Sequence, residues 1–204
     1  HTLDYIKQGY AKQNNIEADK VVLDDEFAKK ISAFATFEEL KKNSVLVEIF
    51  GLGYVGFPLA IRLASAGLTV VGIDVNQKRI ERLQNNDLMD SELNLKHEFL
   101  KCKQDKSLVL ANSPSNSNSS KIGIVCVPTP IPDQKNSSDI FVKAAVENFL
   151  TFSKPGDVII LESSIQIGTT DQMKNLIETK GFKIGQNYGL CFCPERIDPK
   201  NKEW

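Results

Sequence analysis

A doubly wound α/β fold, with a mostly parallel sheet and helices on both faces, is predicted by three features of this 204-residue sequence. Short apolar runs alternate with stretches whose apolar residues recur at helical spacing, the alternation that builds parallel sheets. The runs Val45–Phe50, Leu68–Ile73, Lys121–Val127, Val158–Leu161 and Tyr188–Cys193 are apolar almost throughout, as strands covered on both faces are. Between the first two runs lies Gly51-Leu52-Gly53-Tyr54-Val55-Gly56, then the helical stretch Phe57–Ala66 stopped by Gly67, and the second run ends on Asp74. Strand, glycine turn, helix, strand and acid in this order form the Rossmann-type dinucleotide-binding fingerprint in its required context.

Each position in that stretch has a physical task. Gly51 lets the strand turn tightly, Gly53 lets a pyrophosphate approach the backbone, and Gly56 lets the helix lie close to the strand. The first helical turn directs backbone N–H groups near Tyr54 and Val55 at the phosphates, and the helix dipole adds attraction for negative charge. Asp74 is placed to accept hydrogen bonds from a ribose diol. A 2′-phosphate there meets a like charge, worth roughly 4 kcal/mol at about 4 Å and an effective dielectric of about 20. The fingerprint therefore favours NAD over NADP. Arg79 has two open readings: it swings toward a phosphate, or it covers the adenine.

Bulk properties narrow the class. A net charge of −1 gives no global field for nucleic acid or an anionic membrane, and 41% apolar with 25% charged residues is ordinary for a globular protein. No apolar run reaches the roughly 18–20 residues that span a bilayer, and the N-terminus is polar rather than signal-like. Cys102, Cys126, Cys191 and Cys193 lack zinc spacing, and no metal-ligand set is visible. They read as buried, reduced thiols, which fits a cytoplasmic, reducing compartment.

Residues 1–43 read as a helical N-terminal extension, with Ile31, Phe34, Phe37 and Leu40 on one face, and residues 44–204 as the nucleotide-binding domain. Glu48 interrupts the first strand and needs a basic partner or an exposed strand start. Asn76 caps a second helix that turns Ile80 and Leu83 inward. Ser91–Cys102 reads as a third helix, packing through Leu93, Leu95, Phe99 and Leu100, with His97 on the surface. Asn112–Ser120 reads as a small, mobile polar loop. Ser138–Phe152 reads as a helix packing through Ile140, Val142, Val146, Phe149 and Leu150, and a further one through Met173, Leu176 and Ile177 is capped by Thr169 or Thr170. In a doubly wound sheet the carboxyl ends of the strands border the ligand crevice. Pro128 and Thr129, then Ser164, then Glu195, Arg196 and Asp198 all follow such ends, which tips a plain nucleotide domain toward an enzyme.

With these motifs in order, the chain resembles the nucleotide-sugar 6-dehydrogenases, the UDP-glucose and UDP-N-acetylhexosamine dehydrogenase family. The likeness rests on GLGYVGFPLA at 51–60, GIDVNQKRIERL at 72–83, CVPTPI at 126–131, LESSIQIGTT at 161–170 and CPERIDP at 193–199. Glu162-Ser163-Ser164 and Pro194–Pro199 look most like the N-acetylhexosamine branch. The resemblance implies twofold oxidation of a UDP-sugar C6 alcohol to the uronic acid, with two NAD reduced and a cysteine capturing the intermediate aldehyde. It implies that Gly51, Gly53, Tyr54, Val55 and Gly56 hold the pyrophosphate, that Asp74 and Arg79 hold the adenosine end, and that Pro128, Thr129 and Ser164 line the cofactor site. Ser164 stands where the family has a threonine that orders a catalytic water; Glu195 matches a glutamate that handles protons, and Arg196 and Asp198 lie near substrate.

The family's nucleophilic-cysteine segment, and the lysine and asparagine of its long linking helix, have no match here. The start at His1 and the stop at Trp204 fit a truncated form without the central and UDP-sugar-binding domains, and the last strand of the sheet is expected beyond Trp204. The expectation is thus the cofactor half of a UDP-sugar dehydrogenase, inactive alone. It serves polysaccharide biosynthesis in the cytoplasm, with a UDP-sugar as partner, no nucleic acid or membrane, and room for a homodimer when full length. A non-catalytic NAD-sensing Rossmann module is the alternative, and a methyltransferase glycine loop a weaker one.

Asp74→Ser is expected to narrow the preference for NAD over NADP, read from the two dissociation constants. Unchanged discrimination would show that Asp74 does not read the ribose.

Overall fold

The computed structural model describes residues 45–130 and 139–194, together with Glu17. The N-terminal extension with Ile31, Phe34, Phe37 and Leu40, and the residues Glu195, Arg196 and Asp198, lie outside the described residues. Six strands form one sheet: β1 (Leu46–Phe50), β2 (Thr69–Ile73), β3 (Leu108–Ala111), β4 (Lys121–Val125), β5 (Val158–Leu161) and β6 (Gly189–Phe192). Their order is β3-β2-β1-β4-β5-β6 and every neighbouring pair is parallel. This is the Rossmann order, and its direction reverses between β1 and β4. β3 was not read from the sequence. Its four residues, Leu-Val-Leu-Ala, are all apolar and form one edge of the sheet, with Leu108 buried and Val109 exposed.

The helices are α1 (Gly56–Ser65), α2 (Gln77–Gln84), α3 (Lys96–Gln104), α4 (Ile140–Leu150) and α5 (Thr169–Thr179). α4 and α5 cover the sheet face that carries Leu46, Phe50, Val71, Ile73 and Val125, through Val142, Val146, Phe149, Met173 and Ile177. Phe50 and Phe149 meet edge to face at 5.9 Å. The first half of the chain supplies a second apolar set, in which Phe57 of α1 meets Phe99 of α3 at 5.1 Å. Asn76 caps α2 as expected, its side chain accepting from the Lys78 N–H at 3.1 Å, with Ile80 and Leu83 buried beneath.

Several expectations are corrected. The stretch read as one helix from Ser91 is a 3₁₀ segment, Asp90–Leu95, running into α3. The tighter 3₁₀ turn changes the phase of the faces, so Leu95 and Phe99 are buried while Leu93 and Leu100 are exposed. Ile140, in the first turn of α4, is also exposed. The N-cap of α5 is Gly168, with φ +93°, and no side chain caps it. The Thr169 hydroxyl instead donates to the Asp139 carboxylate at the start of α4, tying the two helices together. Of the thiols only Cys102 is buried; Cys126 is half-buried, and Cys191 and Cys193 are exposed because β6 is an edge strand.

Glu48 has its basic partner. Lys121 Nζ lies 3.4 Å from Glu48 Oε2, with both side chains fully buried. β1 and β4 are neighbours, and Leu46 pairs with Lys121 in register, so the two side chains share a face. The Ser115 N–H donates to Glu48 Oε1 at 2.6 Å, Lys121 Nζ donates to Ser115 O at 3.3 Å, and the ammonium stands 4.9 Å from the Phe149 ring centre. The Asn112–Ser120 loop, read as mobile, is therefore fastened: Lys154 Nζ also donates to Asn118 O, and the Asn112 side chain to Asp74 O.

Lys121→Met leaves a buried carboxylate without its cation and is expected to cost about 3–5 kcal/mol in urea unfolding. The double change Glu48→Gln with Lys121→Met should cost less than Lys121→Met alone. A double variant as unstable as the single would show that charge pairing is not what Glu48 needs.

Candidate functional site

The order reversal between β1 and β4 opens a crevice beyond their carboxyl ends, and the glycine turn and the proline turn are the two loops that leave there. They touch. Gly51 has φ +95°, and a β-carbon on it would stand 2.7 Å from Cys126 O. A β-carbon on Gly56 would stand 1.9 Å from Gly51 O and 3.1 Å from Cys126 Cβ, so Gly56 also lets the turn fold back on its own carbonyl. At Gly53 the same construction meets nothing within 4 Å. Gly53 thus faces open space, which is what a pyrophosphate lying on the backbone requires. α1 begins directly behind it, with no side-chain cap at Val55 and no acidic residue in its first turn, so its positive end is not neutralised locally.

The loop is held from below at Leu52. Asp74 Oδ2 accepts the Leu52 N–H at 2.9 Å, and Arg79 Nε donates to Leu52 O at 2.9 Å. The Leu52 side chain is fully buried. The other Asp74 oxygen accepts the Asn76 N–H at 2.9 Å. Each oxygen then has one lone pair directed elsewhere, the acceptor set that a vicinal diol uses. Asp74 is itself half-buried at the end of β2, its N–H bonded to Ala111 O of β3.

Arg79 does not hang free. Its guanidinium grips Glu92 with two nitrogens, NH1 to Oε2 at 3.2 Å and NH2 to Oε1, and lies 5.0 Å from the centre of the Phe57 ring. The pair is nearly buried, with 10% and 5% of the two side chains exposed. Glu92 also accepts the Met89 N–H at 3.0 Å, which fixes the start of the 3₁₀ segment. A hollow beside the glycine turn is lined by Tyr54, Pro58, Ser91, Glu92 and Leu95; Asp74 is not among its walls.

The remaining rim is laced by neutral hydrogen bonds. Ser163, buried just past β5, donates its hydroxyl to Val125 O at 3.2 Å and Val127 O at 2.8 Å, and its N–H to Val125 O at 3.0 Å. The exits of β4 and β5 are thereby joined, with Pro128 and Ser164 exposed and Thr129 half-buried beside them. The fold thus brings together Gly51, Gly53, Tyr54, Val55, Gly56, Asp74 and Arg79, and separately lines up Pro128, Thr129 and Ser164. Partial burial, with a smaller contribution from neighbouring Cys193, pushes the Cys191 thiol up, which keeps it protonated and weakly nucleophilic.

A family model for the UDP-glucose/GDP-mannose dehydrogenase family, NAD binding domain, matches residues 45–202. The chain belongs to this family. The cofactor of the domain is NAD, and the open Gly53, the uncapped α1 and the Asp74 acceptors fit it. Among relatives, the chain is 33% identical over 156 residues to a UDP-N-acetyl-D-mannosamine dehydrogenase of Methanococcus aeolicus, covering 75% of this chain and 34% of that protein. It is 33% identical over 159 residues to a UDP-N-acetyl-D-glucosamine 6-dehydrogenase of Pseudomonas aeruginosa, covering 77% and 36%. A solved UDP-N-acetyl-mannosamine dehydrogenase of Staphylococcus aureus superposes with a TM-score of 0.69 at 35% identity, over 76% of this chain and 37% of that one. The chain therefore spans about a third of the length of these relatives. Among the described residues no group of His, Cys, Asp and Glu is gathered as a metal site, and no helix is long and apolar enough to cross a membrane.

Sequence reasoning missed Glu92, Leu52 and Ser163. Glu92 caps a segment whose N-cap is Met89, so no Ser or Thr advertised a capping box. Leu52 works through its backbone, which leaves no compositional trace.

Gly53→Val is expected to fold within about 0.5 kcal/mol of the parent, since its new side chain meets open space, and to lose NAD binding. Gly56→Ala is expected to lose about 1–3 kcal/mol, because the turn has to open. Thermal melts and NAD titrations of both variants check this; NAD affinity retained in Gly53→Val would show that the cofactor does not cross that glycine.

Proposed function

We propose that this chain is the cofactor half of an NAD-dependent UDP-sugar 6-dehydrogenase. The full-length enzyme oxidises the C6 alcohol of UDP-N-acetylglucosamine or UDP-N-acetylmannosamine to the uronic acid and reduces two NAD. The observation that carries this reading is the glycine turn held over open space at Gly53, with Asp74 fixing Leu52 beneath it. The named relatives support the substrate class, since those cited act on UDP-N-acetylhexosamines. NAD supplies the hydride acceptor, and the protein orients it and manages protons around it.

In this reading Gly51, Gly53, Tyr54, Val55 and Gly56 receive the pyrophosphate, Asp74 the ribose, and Pro128 and Thr129 the nicotinamide side of the cofactor. Ser164 orders a water at the rim, Glu195 handles protons, and Arg196 and Asp198 contact the sugar nucleotide. The nucleophilic cysteine comes from a segment outside residues 1–204, so this chain alone binds NAD without oxidising the sugar. The product class, a nucleotide-activated uronic acid, suits polysaccharide biosynthesis in the cytoplasm. The full-length protein associates as a homodimer and uses neither nucleic acid nor membrane.

NAD at about 100 times its dissociation constant should add about 2.7 kcal/mol, a melting rise of about 5–10 °C for a domain of this size. A folded sample with no rise at millimolar NAD overturns the reading. A full-length version assayed with UDP-glucose, UDP-N-acetylglucosamine and UDP-N-acetylmannosamine identifies the sugar. Binding of NAD with no turnover of any of them would favour an NAD-sensing module.

A further inference from the structure

Arg79 and Asp74 hold the two ends of one residue, Leu52, yet they are neutralised differently. The Asp74 carboxylate keeps a lone pair on each oxygen, whereas the Arg79 guanidinium is held in a two-point, nearly buried pair with Glu92. Arg79 is thus the arginine nearest along the chain to the ribose-reading acid, and it is parked: Nε on Leu52 O, NH1 and NH2 on Glu92, one face toward Phe57. An arginine beside this acid is the group that accommodates a 2′-phosphate in domains that take NADP. Here the side chain is present, but its charge is spent elsewhere.

We propose that Glu92 is a specificity-determining residue that enforces the choice of NAD over NADP by keeping Arg79 away from the 2′ position. Glu92 touches neither cofactor in this scheme; it acts through Arg79. Two features of the pair argue for it. The carboxylate is fixed independently of Arg79, because it also accepts the Met89 N–H at the head of the 3₁₀ segment. Its position is therefore not set by the arginine it restrains. The pair is also nearly excluded from water, where bidentate charge-assisted hydrogen bonds are strongest and hardest to open. NADP has to meet Asp74 and also find no released cation to offset it. Of the other basic side chains on α2, Arg82 pairs with Asp87 at 2.7 Å, and Lys78, which is exposed, stays the same in every variant compared below and so does not enter the comparison between them.

The inference rests on NAD binding by this domain, and the test separates the two. Kd for NAD and for NADP is measured by calorimetry for the parent chain, Glu92→Gln, Arg79→Met and the double variant. Glutamine retains an oxygen for the Met89 N–H and removes the charge that holds Arg79. The expected result for Glu92→Gln is a fall in the ratio Kd(NADP)/Kd(NAD) of about tenfold, one charge-assisted contact to phosphate. The ratio should return to within about twofold of the parent in the double variant. Arg79→Met alone removes the donor on Leu52 O and weakens both cofactors together, and should leave the ratio unchanged, since a parked arginine makes no contact with a 2′-phosphate; this arm does not depend on Glu92→Gln folding. A purely structural Glu92 weakens both cofactors together and leaves the ratio fixed, which overturns the proposal. A ratio that rises in Arg79→Met also overturns it, because Arg79 then already reaches the phosphate. Absence of NAD binding in the parent chain overturns the cofactor reading itself.

Discussion

The geometry of the cofactor loop depends on how one backbone residue is held. Leu52 is gripped by Asp74 at its N–H, by Arg79 at its carbonyl and by the core through its side chain. Without these three anchors the turn between β1 and α1 would be a glycine-rich segment with little to order it, since Gly51, Gly53 and Gly56 lose more conformational freedom on folding than other residues. The anchors convert that freedom into a fixed cradle. The Asp74 carboxylate therefore serves two ends with different lone pairs, one set holding the loop and the other facing outward. On the proposed reading, cofactor recognition and loop stability are coupled through a single acid.

A second buried charge plays the corresponding part at the opposite end of the strands. Glu48 and Lys121 lie inside the sheet–helix layer, where unpaired charges are very costly, and the Ser115 backbone completes their hydrogen bonding. The arrangement explains how a segment as polar as Asn112–Ser120 becomes part of the core boundary. Its backbone N–H and carbonyl are the extra partners that make burial of the ion pair tolerable. The β3–β4 connection is thereby stitched to β1, and through Asn112 to Asp74 at the end of β2.

How far the sequence was legible follows from these contacts. Strong periodic or fully apolar segments, such as Val45–Phe50 and the Ile80 and Leu83 face of α2, declared themselves because burial alone selects their residue types. The glycine turn and Asp74 were legible because each requires a specific residue at a fixed spacing. β3 was legible too, as the apolar run Leu108–Ala111, and was passed over. The 3₁₀ segment was not legible, because its start is fixed by the Glu92 carboxylate on the Met89 N–H, a cap that no Ser or Thr marks in the sequence. The same holds for Thr169, whose hydroxyl suited a helix cap but was taken by Asp139 across α4. Local propensity loses wherever a longer-range polar partner offers a better bond. Cys191 and Cys193 make the same point for apolar strands: their type suggested burial, and position at the sheet edge decided otherwise.

The two sides of the rim are built on different physics. The cofactor side is held by charges: Asp74 and the Arg79–Glu92 pair act on Leu52 through bonds with at least one ionised partner. The side formed by the exits of β4 and β5 is held by neutral bonds, Ser163 to the carbonyls of Val125 and Val127. Charge-assisted bonds are shorter and stronger, so they suit a surface that must present backbone N–H groups to a polyanion without yielding. Neutral bonds leave no field of their own at Thr129 and Ser164. A stiff, charge-locked cradle therefore stands beside a rim whose joint between the exits of β4 and β5 is made without charge.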